Sequence, residues 1–179
     1  DYLAERYPID HSDVNYIING SVLPSPQLVR LIQQMDFNEA YLRGEELIVA
    51  KLGERQIERL IQDDDIGELK GYDLGQTEYL KIDHVWDFFT LNYKAIAEDF
   101  ERITKGRKSQ ALSNSNLLIG DASQLFIEEG ATVEGATLNT QEGPIYIGKN
   151  AEVMEGSMVR GPLALCDHSK LKLGAKVYG

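Results

Sequence analysis

The sequence predicts an α/β part up to about residue 110, followed by a parallel β-helix built from hexapeptide repeats. Three observations carry this reading. Through the first 110 residues, short apolar runs alternate with segments of helical spacing. From Ile147 onward an aliphatic residue recurs at every sixth position, a period that fits neither a helix nor an ordinary hairpin. Finally, 179 residues with 42% hydrophobic and 26% charged side chains can bury one ordinary core or two small ones.

The elements follow in order. Val14 to Ile18 is a short apolar run that reads as a buried strand. Ser25-Pro26 is a helix start, with Ser as N-cap and Pro at the first helical position. Leu28, Leu31, Ile32 and Met35 then give that helix one apolar face. Glu39 to Arg43 and Glu46 to Leu52 read as strands, and Arg55 to Gln62 as a second helix. Lys70 to Asp83, with Tyr72-Asp73 and Gly75, reads as a hairpin or two short strands. Trp86 to about Thr104 is predicted as one helix, with Phe89, Tyr93, Ile96, Ala97, Phe100 and Ile103 as its buried stripe and Lys105-Gly106 as its close.

Helix signals stop at Asn116. Ile147, Val153, Val159, Leu165, Leu171 and Val177 then keep one register, with residues such as Ala151, Ser157, Ser169 and Ala175 four positions after an aliphatic. The same phrase opens earlier at Ile127 and Val133. In a parallel β-helix each aliphatic points to the axis, small residues fit near the corners, and stacked coils pair their backbones. Between Val133 and Ile147 the register slips by two residues, which predicts a bulging loop over Asn139 to Pro144.

With 18 basic against 29 acidic side chains the net charge is -11, which argues against a broad grip on nucleic acid or anionic lipid. No apolar run is long enough to span a membrane, and no signal segment opens the chain. Cys166 is the single cysteine, so neither an internal disulfide nor a cysteine-built zinc site is expected. The expected setting is the cytoplasm. Asp1 to Tyr7 reads as a helix already under way and Ala175 to Gly179 stops within a repeat, so the chain is expected to be a piece of a longer protein.

Several segments carry a family resemblance. The repeats resemble the hexapeptide left-handed β-helix of acyltransferases and sugar nucleotidyltransferases. Ile82-Asp83-His84-Val85-Trp86-Asp87-Phe88-Phe89-Thr90-Leu91-Asn92 resembles the "W-D-L-L-x-x-N" segment that joins a nucleotidyltransferase domain to a hexapeptide domain. Tyr16 to Pro24 resembles a strand and loop that in such enzymes reads "G-D-x-P", and Ile103 to Gln110 and Gly143 to Gly148 extend the match. The whole is similar to GlmU-like bacterial sugar nucleotidyltransferases, relatives of the bifunctional enzymes that make UDP-N-acetylglucosamine. The resemblance implies a Rossmann-like nucleotidyltransferase part over 1–110 and the first β-helix coils over 111–179. It also implies Mg²⁺ as cofactor and a homo-trimer assembled through the β-helix.

The sequence departs from that pattern. It contains no Gly-rich phosphate loop, and Asn19-Gly20-Ser21 stands where the family has an Asp. Asn lacks the negative charge that Mg²⁺ prefers, so no metal ligand is assigned. The coil at Gly161 to His168 has Asp167 and no Arg where the acetyltransferases place arginines for the sugar phosphate.

Candidate substrate-binding residues are Asn19, Gly20, Trp86, Asp87, Lys105, Arg107 and Lys108; no catalytic residue is named. Asn19 and Gly20 end a strand at a loop, where α/β sheets bind ligands, although an ordinary turn is the commoner explanation. Trp86 and Asp87 suit a sugar platform and its acceptor, but packing for Trp and helix capping for Asp is the commoner use. Lys105, Arg107 and Lys108 suit a phosphate, or else the cationic end of a helix. Asp63-Asp64-Asp65 reads as a solvated turn, and Cys166 with His168 lacks an orienting third group.

The expected chemistry is transfer of a nucleotidyl group from UTP or dTTP to a sugar 1-phosphate such as N-acetylglucosamine 1-phosphate, with release of pyrophosphate. The alternatives are a hexapeptide acyltransferase using acetyl-CoA and a non-catalytic trimeric scaffold.

Overall fold

A computed structural model describes residues 6–7, 12–63 and 68–178. The chain divides into two compact units, one reaching to Asp83 and the other starting at His84. The opening helix expected at 1–7 and most of the acidic triplet at 63–65 lie outside the described residues.

In the first unit, β1 (Asn15–Ile18), α1 (Pro26–Gln33), β2 (Glu39–Arg43), β3 (Glu46–Leu52), α2 (Glu54–Asp63) and β4 (Lys70–Asp73) build a four-stranded sheet in the order β1-β3-β2-β4. β3 is antiparallel to both neighbours, whereas β4 runs parallel to β2. A mixed sheet with helical packing on both faces explains why β3 reads as an unbroken apolar run, with Ile48, Val49, Ala50 and Leu52 all at 0% exposure. Ile48 clusters with Leu28 of α1 and Leu74, while Ala50 and Leu52 cluster with Ala40 and Ile57 of α2. Strict alternation would put Ile48, Ala50 and Leu52 on one face. The register shift between Tyr41 and Leu42 leaves Ile48 as the extra residue and so turns it to the α1 side.

α1 starts as expected: Ser25 is its N-cap, and its hydroxyl accepts from Leu28 N at 3.2 Å. Two readings of this half need correction. β1 is an edge strand, not a buried one, because it pairs only with β3 and leaves Tyr16 and Ile18 exposed. Of the hairpin or two short strands read at 70–83, one strand forms: β4 pairs with β2, and the return is held by the bridge of Val22 with Lys81 and by hydrogen bonds from Ser25 Oγ to Glu78 O and from Arg43 Nη2 to Thr77 O.

The second unit opens with α3 (Asp87–Thr90) and α4 (Asn92–Thr104), two helices where one was expected, broken at Leu91. Of the stripe assigned to this segment only Phe100 is buried; Phe89 is 80% exposed, and Tyr93 and Ile103 are exposed too. Helical spacing marks a face that can be buried, but it does not say whether anything covers that face.

Residues 117–178 form a β-solenoid of about three turns. Its strands are β5 (Leu117–Ile119), β6 (Leu125–Ile127), β7 (Thr132–Val133), β8 (Thr137–Asn139), β9 (Ile145–Ile147), β10 (Glu152–Val153), β11 (Met158–Arg160), β12 (Leu163–Leu165), β13 (Lys170–Leu171) and β14 (Lys176–Tyr178). They stack into three parallel sheets, β5-β8-β11-β14, β6-β9-β12 and β7-β10-β13. Ile127, Val133, Leu138, Ile147, Val153, Val159 and Leu165 fill the axis, with Leu171 and Val177 packed against them. The small corner residues Ala151 and Ser157 are 1% exposed.

The two-residue slip resolves into two opposite changes. Leu138 follows Val133 after five residues and Ile147 follows Leu138 after nine, so one corner is shortened and the next lengthened. Within the long corner Gln141 and Glu142 face solvent as expected of a loop, but Thr140 and Pro144 are buried. A second corner repeats a left-handed residue in successive coils: Gly130 (φ 81°), Asn150 (φ 54°) and His168 (φ 59°).

The first coil has no strands above it, and polar side chains complete its edge. Ser109 Oγ accepts from Ile127 N, and Gln110 Nε2 donates to Ala131 O. Asn116 Nδ2 donates to Val133 O while its Oδ1 accepts from Ala136 N. Backbone groups left bare at a sheet edge invite mispairing, and these side chains satisfy several of them.

Candidate functional site

The end of β1 places Asn19 and Gly20 at a turn. Asn19 Nδ2 donates to Glu46 Oε1 and to Leu47 O, each at 3.1 Å. Its Oδ1 accepts from Ser21 N at 3.0 Å and from Ser21 Oγ at 2.7 Å. Both ends of the carboxamide are therefore engaged in holding the turn, as Asn side chains do when they mimic a backbone. Around it lies a charge network that the sequence reading missed. Lys81 Nζ pairs with Glu46 at 3.1 Å and also contacts Asp83. The hydrogen bonds that Lys81 donates to Asp83 and to Glu46 hold its ammonium above its ordinary pKa.

That arrangement answers the question of Mg²⁺ at this turn. The cation between Glu46 and Asp83 is already Lys81, and the Asn19 carbonyl oxygen is taken by Ser21. Among the described residues no group of three or more His, Cys, Asp and Glu is disposed to hold a metal ion. The residues of this turn do not fit Mg²⁺.

In the second unit Trp86 and Asp87 start α3. Asp87 Oδ2 accepts from His84 N at 2.8 Å, so it secures the turn that leads into the helix. Trp86 is 61% exposed, with its ring 4.5 Å from that of His84, and Val85, Phe88 and Phe89 are also exposed beside it.

Lys105, Arg107 and Lys108 follow the end of α4 on one short segment, turned at Gly106 with φ 73°. Lys105 and Lys108 are exposed and form no ion pair among the described residues. Arg107 is held on three sides. It donates from Nη1 to Ile103 O at 3.0 Å, pairs through Nη2 with Glu128 Oε2 at 2.7 Å, and stacks its guanidinium 5.1 Å from the centre of the Phe126 ring. Glu128 takes a second donor, Tyr146 Oη, at 2.7 Å, and Tyr146 lies parallel to Phe126. Phe126, Glu128 and Tyr146 sit on the adjacent strands β6 and β9 and the turn after β6, with Phe126 opposite Tyr146 in the ladder.

The electrostatics follow from this geometry. The Arg107 hydrogen bond, aided by Tyr146 and opposed by partial burial, holds the Glu128 carboxyl below the usual carboxylate range. Burial, with the Glu128 carboxylate as acceptor, pushes the Tyr146 phenol up to about 12. The sequence singled out Arg107 but not its partners. Glu128 sits 21 residues away, and only the coil register brings it near.

Cys166 is exposed, as expected of a thiol on the outside of a coil. His168 occupies the left-handed corner and its backbone N donates to Lys149 O. Arg160 is exposed and pairs with Glu142 at 2.7 Å. No helix among the described residues is long and apolar enough to cross a membrane.

The chain thus carries an α/β unit, a cationic segment and a stacked-coil solenoid in sequence order. A model of the family described as sugar nucleotidyl transferase matches residues 1–108, and the chain belongs to this family. No curated protein and no solved structure matches the chain.

Proposed function

We propose that this chain is part of a sugar-1-phosphate nucleotidyltransferase. It transfers a nucleotidyl group from UTP or dTTP to a sugar 1-phosphate such as N-acetylglucosamine 1-phosphate, and pyrophosphate leaves. The match to the sugar nucleotidyl transferase family over residues 1–108 is the observation that carries this reading. Such chemistry needs the two phosphates positioned in line and their charge neutralised, more than it needs a reactive side chain. Lys105, Arg107 and Lys108 are the residues proposed to contact a phosphate, because two of them are free and exposed and Arg can grip an oxyanion with two N–H groups. Asn19 and Gly20 in the first unit, and Trp86 and Asp87 in the second, are each proposed separately as substrate-binding candidates. Assembly as a homo-trimer through the solenoid belongs to the same proposal.

The test is pyrophosphate release by the full-length protein with UTP or dTTP against N-acetylglucosamine 1-phosphate or glucose 1-phosphate. Release with one pair supports the reading and names the substrates. Silence with every pair, from a folded sample, overturns it. The β-solenoid favours a second reading, acyl transfer from acetyl-CoA, and calorimetric titration with acetyl-CoA separates the two.

A further inference from the structure

We infer that Glu128 is a built-in competitor for the phosphate site: its carboxylate holds one N–H edge of the Arg107 guanidinium and places its negative charge where an incoming phosphate would bind. This rests on the proposal that Lys105, Arg107 and Lys108 receive a phosphate. Three features of the geometry point to it. First, the pair uses one guanidinium edge and one carboxylate oxygen, at 2.7 Å, and its cation remains accessible, with the Arg107 side chain 47% exposed against 15% for Glu128. An anion can therefore approach Arg107 from solvent more readily than a cation can reach Glu128. Second, Glu128 is prevented from drifting away, because Tyr146 Oη holds its other oxygen at 2.7 Å and Tyr146 is fixed by its parallel stack on Phe126. A carboxylate on a free tether would give way without effect; this one is aimed.

Third, Lys105 and Lys108 flank Arg107 and are exposed without an ion pair among the described residues. A phosphate docking on these two lysines meets Arg107 already paired. It contacts Arg107 through the N–H groups that Glu128 leaves open, or by taking Nη2 from Glu128, and in either case the Glu128 carboxylate sets its charge against the phosphate, while the contact from Arg107 Nη1 to Ile103 O holds the arginine in place. The residue pair thus raises the concentration of phosphate ligand needed to fill the site, and leaves a defined resting partner for Arg107 when the ligand departs. An exposed ion pair is a weak competitor, so its removal changes affinity by a small factor and does not open or close the site outright.

Titration of the full chain with inorganic phosphate and with pyrophosphate in a calorimeter tests this. Glu128→Gln keeps an acceptor for Tyr146 and removes the charge; binding is expected to tighten roughly threefold. Arg107→Gln is expected to weaken it at least as much. Glu128→Asp draws the carboxylate back from the guanidinium and is expected to fall between wild type and Glu128→Gln, which keeps the test open if one variant fails to fold; circular dichroism of each variant reports folding. Binding to wild type that is unchanged or weaker in folded Glu128→Gln overturns the competitor role and leaves the phosphate site standing. Absence of binding in wild type and in Glu128→Gln alike overturns both.

Discussion

Gly161 offers a sharp test of the stacked-coil packing. A methyl group at Gly161 would lie 2.3 Å from Gly143 O, 2.9 Å from Gly143 C and 3.0 Å from Pro144 O. All three are backbone atoms of the coil before it, and that coil is tied to Gly161 by the hydrogen bond from Gly161 N to Asn139 O at 2.9 Å. Ordinary carbon contacts fall at about 3.5–4.0 Å, so Gly161→Ala must push two coils apart by roughly 1 Å where strands are spaced about 4.8 Å. Overpacking a core costs about 1–3 kcal/mol when side chains can yield. Here only backbone can yield, so about 3 kcal/mol is expected, which lowers Tm by more than about 10 °C for a unit of this size. Gly20→Ala is the control, because nothing lies within 4 Å of its added methyl. Thermal melts of the two variants followed by circular dichroism supply the comparison. A Gly161→Ala melt within about 2 °C of wild type would refute the close approach of the two Gly-Pro corners.

Three further outcomes are expected. Asn19→Asp loses both donors to Glu46 and Leu47 and sets a carboxylate against Glu46, so its urea midpoint falls by the equivalent of about 1–2 kcal/mol; a Tm that Mg²⁺ restores to wild type would show that the turn takes a metal after all. Glu128 has a depressed folded pKa, so it contributes stability above its unfolded value of about 4.5 that is lost as pH falls through the folded one, and Glu128→Gln flattens that acid limb in a pH series of melts. Tyr146 has a raised folded pKa, so the folded state binds its proton more tightly and stability declines as pH rises from 10.0 towards about 12; Tyr146→Phe removes that alkaline limb.

The solenoid was legible because its signal is redundant. Each of six aliphatics repeats the same geometric demand, and one that failed would have left the others in phase. Strands β2 and β3 and the start of α1 were legible for a local reason: an apolar run and a Ser-Pro cap act within a few residues. Less was legible at the candidate site. Arg107 stood out in an acidic chain, but its partners Glu128, Phe126 and Tyr146 carry no mark that links them to it in sequence. Asn19 drew attention as a departure from an acidic pattern, whereas its engagement with Glu46 depends on which strand lies beside β1.

The misreadings share that cause. The pattern at 70–83 fits a hairpin as well as a strand and a return, and only the presence of β2 as a parallel partner for β4 decides between them. The stripe at 89–103 has helical spacing, but spacing does not say whether anything covers the face, and Phe89 stays in solvent. Composition, period and local caps determine which segments are strands, helices and coils, because those choices are made by interactions among near neighbours in the chain. Pairing across the sheets, the bulge that turns Ile48 to α1, and the contact of Arg107 with Glu128 were decided by the tertiary structure. Most are contacts between residues distant in sequence, such as Arg107 with Glu128 or Asn15 with Leu52, and folding alone brings such residues within hydrogen-bonding or packing distance.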